Sequence, residues 1–277
     1  MKKTFILIII SYISTGAIQA QKNQFQIGIG YQRTWMVDKQ ASPLKYQTSE
    51  KTFSLGYSNT GSKGKFSTQI NGALGAFFPT GLKSRQIYNP GYNADGTPIK
   101  DSLPFAGKLY NARISIGYLK QLGNDYSEIG KEKLNSNNYL GASLNNQMFY
   151  SDNFVRTGWF NSSSVNAEFE HRATYNIKHS FRINISVPLF ARNTRLPYHN
   201  TLSSPDGNKG INTLFKHGSR FAWFGNFQNV QVDAGYDYAV SNHVCLGIHY
   251  FGQWLHYNYE KPITLFQNNI GLTAAIK

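Results

Sequence analysis

The sequence predicts an all-β protein: a single antiparallel, up-and-down transmembrane β-barrel of about ten strands, with eight or twelve also compatible, behind a cleaved signal peptide. Three observations predict it. In residues 165–189, Val165, Ala167, Phe169, Ala173, Tyr175 and Ile177 alternate with Asn166, Glu168, Glu170, Arg172, Thr174 and Asn176. After a turn at Lys178 and His179, Phe181, Ile183, Ile185, Val187 and Leu189 alternate with Arg182, Asn184 and Ser186. Successive strand side chains point to opposite faces, so this hairpin has one long apolar face and one charged face. The second observation is a secretory leader, and the third is that the same alternation recurs along the whole chain.

Residues 1–20 begin Met1-Lys2-Lys3, continue through an apolar run and end in Gly16-Ala17-Ile18-Gln19-Ala20. A basic start, a short apolar core and a small residue before a polar one predict cleavage after Ala20. The run falls short of the ~20 apolar residues a spanning helix needs. Residues 21–277 then form one barrel domain, a size at which barrels are routinely single units. The lone cysteine, Cys245, excludes an internal disulfide framework.

Mean hydropathy is −0.41, which in other folds reads as soluble. A transmembrane barrel escapes that rule because only alternate residues face lipid. Net charge is +14, or +12 without Lys2 and Lys3. An exported basic chain points to phosphate-bearing lipid rather than to nucleic acid.

The elements follow in order. Strands are expected at 25–37 (Phe25, Ile27, Ile29 and Tyr31 against Gln26, Gly28, Gly30 and Gln32), 52–58 and 65–78, with Thr60-Gly61 and Lys63-Gly64 reversing the chain between the last two. Residues 79–106 read as a long connection, punctuated by Pro90-Gly91, Asp95-Gly96, Pro98 and Pro104. A regular strand follows at 108–120, then a charged connection at 121–137, a strand at 138–150 and the hairpin above. A second long connection spans 191–219, and strands at 220–239, 244–257 and 263–276 complete the set. Pro188 interrupts its strand, and since proline removes a ladder donor it predicts a bulge or the end of pairing.

Laid up and down with both termini inside, this order puts the two longest connections outside and tight turns in the periplasm, the asymmetry bacterial barrels show. Trp35, Trp159, Trp223 and Trp254 then fall near external strand ends, and Tyr57, Tyr118, Tyr139, Tyr175 and Tyr238 near periplasmic ends. Amphipathic rings settle at headgroup level, so these residues read as two aromatic girdles.

Leader, alternation, girdles and final strand together resemble the Gram-negative outer-membrane β-barrel proteins. The composition, rich in Asn, Tyr and Lys, is similar to barrels of the Bacteroidota. The resemblance implies a cell outer-membrane location and recognition by the barrel-insertion machinery through the last strand. Ile270, Leu272, Ala274 and Ile276 supply the expected alternation there, but the chain closes on Lys277 instead of an aromatic residue.

The inward face collects Arg113, Glu168, Glu170, Arg172, Arg182, Asp233 and Asp237. Barrel proteases resembling the omptins use acidic pairs with a histidine, but at the external rim, whereas Arg172, Asp233 and Asp237 lie deeper. Glu168 and Glu170 share a side, where like charges repel unless a cation intervenes. A lumen ion network, with the arginines as counter-ions, is therefore expected in place of catalysis. His249 and His256 lie on opposite faces and cannot share a metal, while His171 sits on the apolar face, against the pattern. His199, Ser203 and Ser204 offer acyl-transfer residue types without an oriented base beside a nucleophile. No zinc spacing, phosphate-cradling loop or nucleic-acid motif appears, and no cofactor is expected. Arg192, Arg195, Lys209, Lys216 and Arg220 outnumber Asp206 in and beside the last long connection and could bind lipopolysaccharide phosphates.

These readings favour a non-enzymatic outer-membrane barrel with a structural or binding role, including that of accessory subunit to a protein partner in the envelope. A small channel, a barrel enzyme acting on lipid A, phospholipid or peptide, and a secreted soluble β-sandwich are the alternatives.

Overall fold

A computed structural model of the protein describes residues 22–82, 84–86, 91–97, 102–104, 107–129, 132–151, 158–176, 178–195, 215 and 218–277. The leader lies outside the described residues. Ten long strands form the wall: β1 (Lys22–Asp38), β2 (Tyr46–Thr60), β3 (Gly64–Pro79), β4 (Lys108–Ile129), β5 (Glu132–Ser151), β6 (Gly158–Tyr175), β7 (His179–Arg195), β8 (Phe227–Ala239), β9 (Val244–Tyr257) and β10 (Ile263–Ile276). Each pairs antiparallel with the next. The last returns to the first, from Phe25 opposite Ile276 to Asp38 opposite Ile263. The sheet is closed and leaves no edge strand in its wall.

A short strand, Ser219–Trp223, continues the line of β8 along β7, and the turn at 224–226 separates the two. The pair Ser84–Gln86 and Ser102–Pro104 lies within the connection between β3 and β4. The strand ends on either side of 61–63, 130–131, 176–178 and 240–243 gather at one end of the barrel. The two longest, 80–107 and 196–218, fall at the other.

Several expectations about extent need correction: β7 runs on to Arg195, into the connection expected at 191–219, and the strand expected at 220–239 is broken by the turn at 224–226. β2 begins at Tyr46 instead of Thr52, which brings Glu50 into the wall. The expected charged connection at 121–137 is nearly all strand. β4 and β5 stay paired to Ile129 opposite Glu132, beyond the level of Gly64, where β3 begins opposite Lys120. Gly123, Asn124 and Asp125 are poor strand formers, but a bulge between Gln121 and Gly123 absorbs the irregularity, leaving Leu122 out of register. A second bulge lies beside Pro188: Val165 faces Phe190, Asn166 faces Pro188, and Leu189 is skipped. Proline has no amide hydrogen to give, so the ladder yields there. Leu189 and Phe190 consequently both point outward, and Ala191 points in.

Along most of the wall the apolar side faces out. Ile29 is 65% exposed and Ile270 63%, and Ile27, Leu55, Ile114, Leu144, Ile183, Ile248 and Leu272 join them in a continuous belt. His171 lies on this outer face, where its Nδ1 meets the Asn138 Oδ1 at 2.8 Å on the adjacent strand. The two polar groups satisfy each other, which is how the wall tolerates the break in its pattern.

Toward the long-connection end the expected distribution reverses. Met36, Tyr46, Phe77, Leu109, Phe149, Phe160, Phe227, Leu255, Tyr257, Ile263 and Leu265 turn inward and pack into one buried cluster. Outward positions near the same level carry Arg33, Ser49, Lys51, Asn146, Ser163 and Arg192, all exposed. The strand period is unchanged; only the chemistry of the two faces swaps. Apolar inside and polar outside is what burial dictates for a wall standing in water. The interior is therefore polar for part of its height and greasy at one end.

Candidate functional site: a chamber open at the short-turn end

The interior divides into layers. Furthest from the short turns is the apolar cluster, with Tyr46 and Phe77 stacked at 4.9 Å and Phe160 5.9 Å from Tyr257. At its rim, Arg195 forms an ion pair with Asp38 and donates to the Lys261 carbonyl. Below lies a sheet of amides and one carboxylate. Gln147 on β5 and Gln253 on β9 exchange hydrogen bonds across the lumen at 3.0 and 2.6 Å, and Gln253 also donates to Asn229 at 2.7 Å. Glu50, fully buried, accepts from Gln32 at 2.8 Å and from Thr34 at 2.5 Å, and Thr34 accepts from Gln267 at 3.0 Å. The Gln147–Gln253 pair reaches from wall to wall, whereas the Glu50 group runs along the adjacent strands β10, β1 and β2.

Next comes a small cavity of about 70 Å³, bounded below by Arg113, whose guanidinium lies 3.9 Å from the centre of the Phe251 ring. Arg113 projects from β4 and Phe251 from β9, so this cation–π contact crosses the barrel. Beneath it opens a chamber of about 550 Å³ that reaches the short-turn end, lined there by Thr60, Lys178 and Ala239.

The chamber has two unlike walls. Strands β2 to β5 present small inward residues, Gly56, Ser58, Ser67, Ser115, Gly117 and Ser143, and these leave the space. Strands β6 to β8 present most of the charges, and Lys65 on β3 and Arg113 on β4 reach across to meet them. Glu170 meets Lys65 at 2.6 Å and Arg172 at 3.0 Å, with Lys65 and Glu170 5% and 2% exposed. Asp233 receives Arg182 at 2.7 Å. His249 Nδ1 lies 3.1 Å from the same Arg182 nitrogen, and its Nε2 3.3 Å from Asp237. Arg182 can only donate, so Nδ1 accepts and the ring hydrogen on Nε2 points at Asp237. Glu168 accepts from Ser143.

All seven residues expected in the lumen face this interior. Glu170 joins Arg172, and Asp233 joins Arg182, whereas Arg113 goes to an aromatic ring and Glu168 to a hydroxyl. Sequence reasoning missed three participants. Lys65 is the first residue of the expected strand 65–78, and nothing in the alternation assigns it an acid; Glu50 lies outside the strand expected at 52–58; His249 is read from the sequence only as a metal ligand. Its inward parity with Cys245, Gly247 and Phe251 was the available signal.

The expected phosphate-binding set divides. Arg192 faces outward and Arg220 is exposed, its Nε 3.0 Å from the Tyr259 hydroxyl. Arg195 is 7% exposed and committed to Asp38, so it has no route to a lipid phosphate. The Leu189 bulge shifts the parity of this strand end, which places Arg195 inside. Lys209 and Lys216, like His199, Ser203 and Ser204, lie outside the described residues. Trp223 (68% exposed) and Trp254 point outward near the long-connection end, and Trp35 lies 5.8 Å from outward-facing Phe266. Trp159 stands beside Tyr150 at 6.5 Å. At the other end Tyr118 is exposed, but Tyr139 turns inward and is buried among the chamber residues. It drops out of the expected girdle because the outward residues of β5 are the even-numbered ones, Leu140 and Leu144. Among the described residues no group of His, Cys, Asp and Glu side chains is arranged to hold a metal.

No protein-family model and no curated protein sequence matches the chain. Solved structures with a similar strand layout include the Escherichia coli outer-membrane protease OmpT (9% identity, covering 95% of this chain and 99% of that one, TM-score 0.44). The transport unit of the E. coli autotransporter AIDA-I is another (11% identity, 99% and 96%, TM-score 0.39). A third is the Yersinia pestis attachment invasion locus protein Ail (10% identity, 92% and 98%, TM-score 0.28). They are a protease, a transport unit and an attachment protein, and at such identities no activity passes to this chain.

Proposed function

We propose that this protein is an outer-membrane barrel that binds rather than conducts: a closed wall spanning the bilayer, stoppered on the outside, with its chamber open to the periplasm. The observation that carries the reading is the stopper. An inward apolar cluster lies above a layer in which Gln147 and Gln253 bond across the lumen, and the two layers together support a closed passage. The belt of outward isoleucine, leucine and phenylalanine supports membrane embedding, because an apolar surface that continuous is stable against hydrocarbon and not against water. The reversal of faces fits a wall that rises out of the bilayer into water. The long connections lie at the end we assign to the exterior, and the tight turns at the periplasmic end.

The same reading takes in the lipid partners. Arg192 stands opposite Phe221, next to outward Leu189, Phe190 and Trp223, a cation above a greasy face that suits a lipid phosphate such as that of lipopolysaccharide. The β4–β5 hairpin, projecting beyond the start of β3, is a natural contact for an envelope protein partner. The leader, insertion through the last strand and a Bacteroidota source belong to this proposal on sequence grounds.

Reconstitution in planar bilayers tests it. The expected result is no current above the lipid background, with the same preparation showing heat-modifiable migration as an inserted barrel. A steady single-channel conductance would overturn it in favour of a pore.

A further inference from the structure

The two walls of the chamber differ in more than size: they differ in what hydrogen bonding they leave unused. Every acid that lines it is engaged. Glu170 is held by Lys65 and Arg172, Asp233 by Arg182, Asp237 by His249 and Glu168 by Ser143. The donors are not used up. Buried Nε atoms of Arg172 and Arg182 have no partner among the described residues. Arg113 enters the chamber with its guanidinium against a ring face and no hydrogen-bond acceptor described for it. A guanidinium carries five N–H donors in a fixed fork, and a ring face satisfies none of them along the fork's edge. Lys178 adds a further cation at the mouth. Among the buried acceptors lining the chamber, Asn145 Oδ1 and Glu170 Oε1 lack a hydrogen bond within the described residues, the latter held only by its ion pair with Arg172 at 3.0 Å, while Gln231 Nε2 adds another unused donor.

We infer that the chamber is a binding site for a water-soluble oxyanion, a small carboxylate or phosphate compound that enters from the short-turn end. Its anionic group takes the free edge of Arg113 in a bidentate contact, and the surplus of cations over acids in the lining favours a negative charge there. The stacked Phe251 holds the guanidinium plane in place before the ligand arrives, so little side-chain freedom is lost on binding. The small polar residues of the wall that carries Arg113, Ser58, Ser67 and Ser115, lie toward the mouth and receive the rest of the molecule. At about 550 Å³ the space lies in the range of ordinary small-molecule pockets, so the ligand is larger than a bare inorganic ion. This inference rests on the proposed binding role but does not need the bilayer to be intact.

The test is titration calorimetry of the detergent-solubilised full mature chain with citrate and with pyrophosphate, and with dioctanoyl phosphatidate as the lipid-borne form of the same chemistry. Saturable binding of citrate or pyrophosphate is expected. Arg113→Gln should weaken it by about tenfold or more, with Arg113→Lys in between, because the bidentate contact contributes over 1.4 kcal/mol. Gly56→Leu should weaken it as much by filling the chamber: a Cβ at Gly56 meets nothing closer than 3.6 Å, so the barrel accepts the change. Both variants should keep heat-modifiable migration. Absence of saturable binding by the soluble probes, binding of phosphatidate alone, or equal affinity in folded Arg113→Gln would each overturn the inference. None of these results bears on conductance, which judges the binding-barrel reading separately.

Discussion

Replacing Glu170 by Gln removes the carboxylate that sits between Lys65 and Arg172 and leaves two cations facing one neutral amide inside the barrel. Lys65 and Glu170 are 5% and 2% exposed and 2.6 Å apart, and they lie on β3 and β6, so their bond crosses the lumen instead of following the wall. Removing one partner of so buried a pair strands the other, at a cost of about 3–5 kcal/mol. Lys65→Met is milder, about 1–3 kcal/mol, because Glu170 keeps Arg172 at 3.0 Å. In the double variant no orphaned ammonium or carboxylate remains, so the loss should fall short of the summed single losses by about 2 kcal/mol. Urea unfolding from lipid vesicles, followed by tryptophan fluorescence and extrapolated linearly to water, measures all three. Losses that add within ~0.5 kcal/mol would show that the two residues do not act as a pair, and the reasoning fails. So would a Glu170→Gln loss no larger than that of Lys65→Met.

Two further perturbations probe the wall itself. Ile29→Lys puts an ammonium in the middle of the outer belt and should cost ~2–4 kcal/mol in vesicles, whereas Ser67→Asn, which lines the chamber, should stay within ~0.5 kcal/mol; equal losses in the same urea assay would contradict the assignment of faces. Gly75→Ala places a methyl 2.2 Å from the Ser49 carbonyl oxygen and should lose ~1–3 kcal/mol, while Gly72→Ala meets nothing within 4 Å and should be neutral or slightly stabilising; their relative urea midpoints decide.

Much of this molecule could be read from residue order because a barrel strand writes its two faces in alternate letters. The hairpin of 165–189, the belt isoleucines and the inward arginines and acids are local consequences of a period of two, and Pro188 announced its own bulge by lacking a donor. The ends of elements resisted, since poor strand formers such as Gly123 and Asp125 can be absorbed by a bulge once neighbouring strands hold the ladder. Arg195 resisted for a related reason: one skipped residue, Leu189, inverts every position after it.

What residue order determined, then, was the wall, the two-faced character of each strand and the end at which the long connections gather. Closure decided the rest. Whether Arg113 would meet an acid or the ring of Phe251, whether Glu170 would be neutralised by its own strand or by Lys65 far away in sequence, and whether the lumen would be open or stoppered all depend on residues brought together across the interior. The inward aromatic and aliphatic residues at the long-connection end carry no local mark that distinguishes them from lipid-facing ones. Periodicity says only that two faces differ; the joining of β10 to β1 makes one of them an inside.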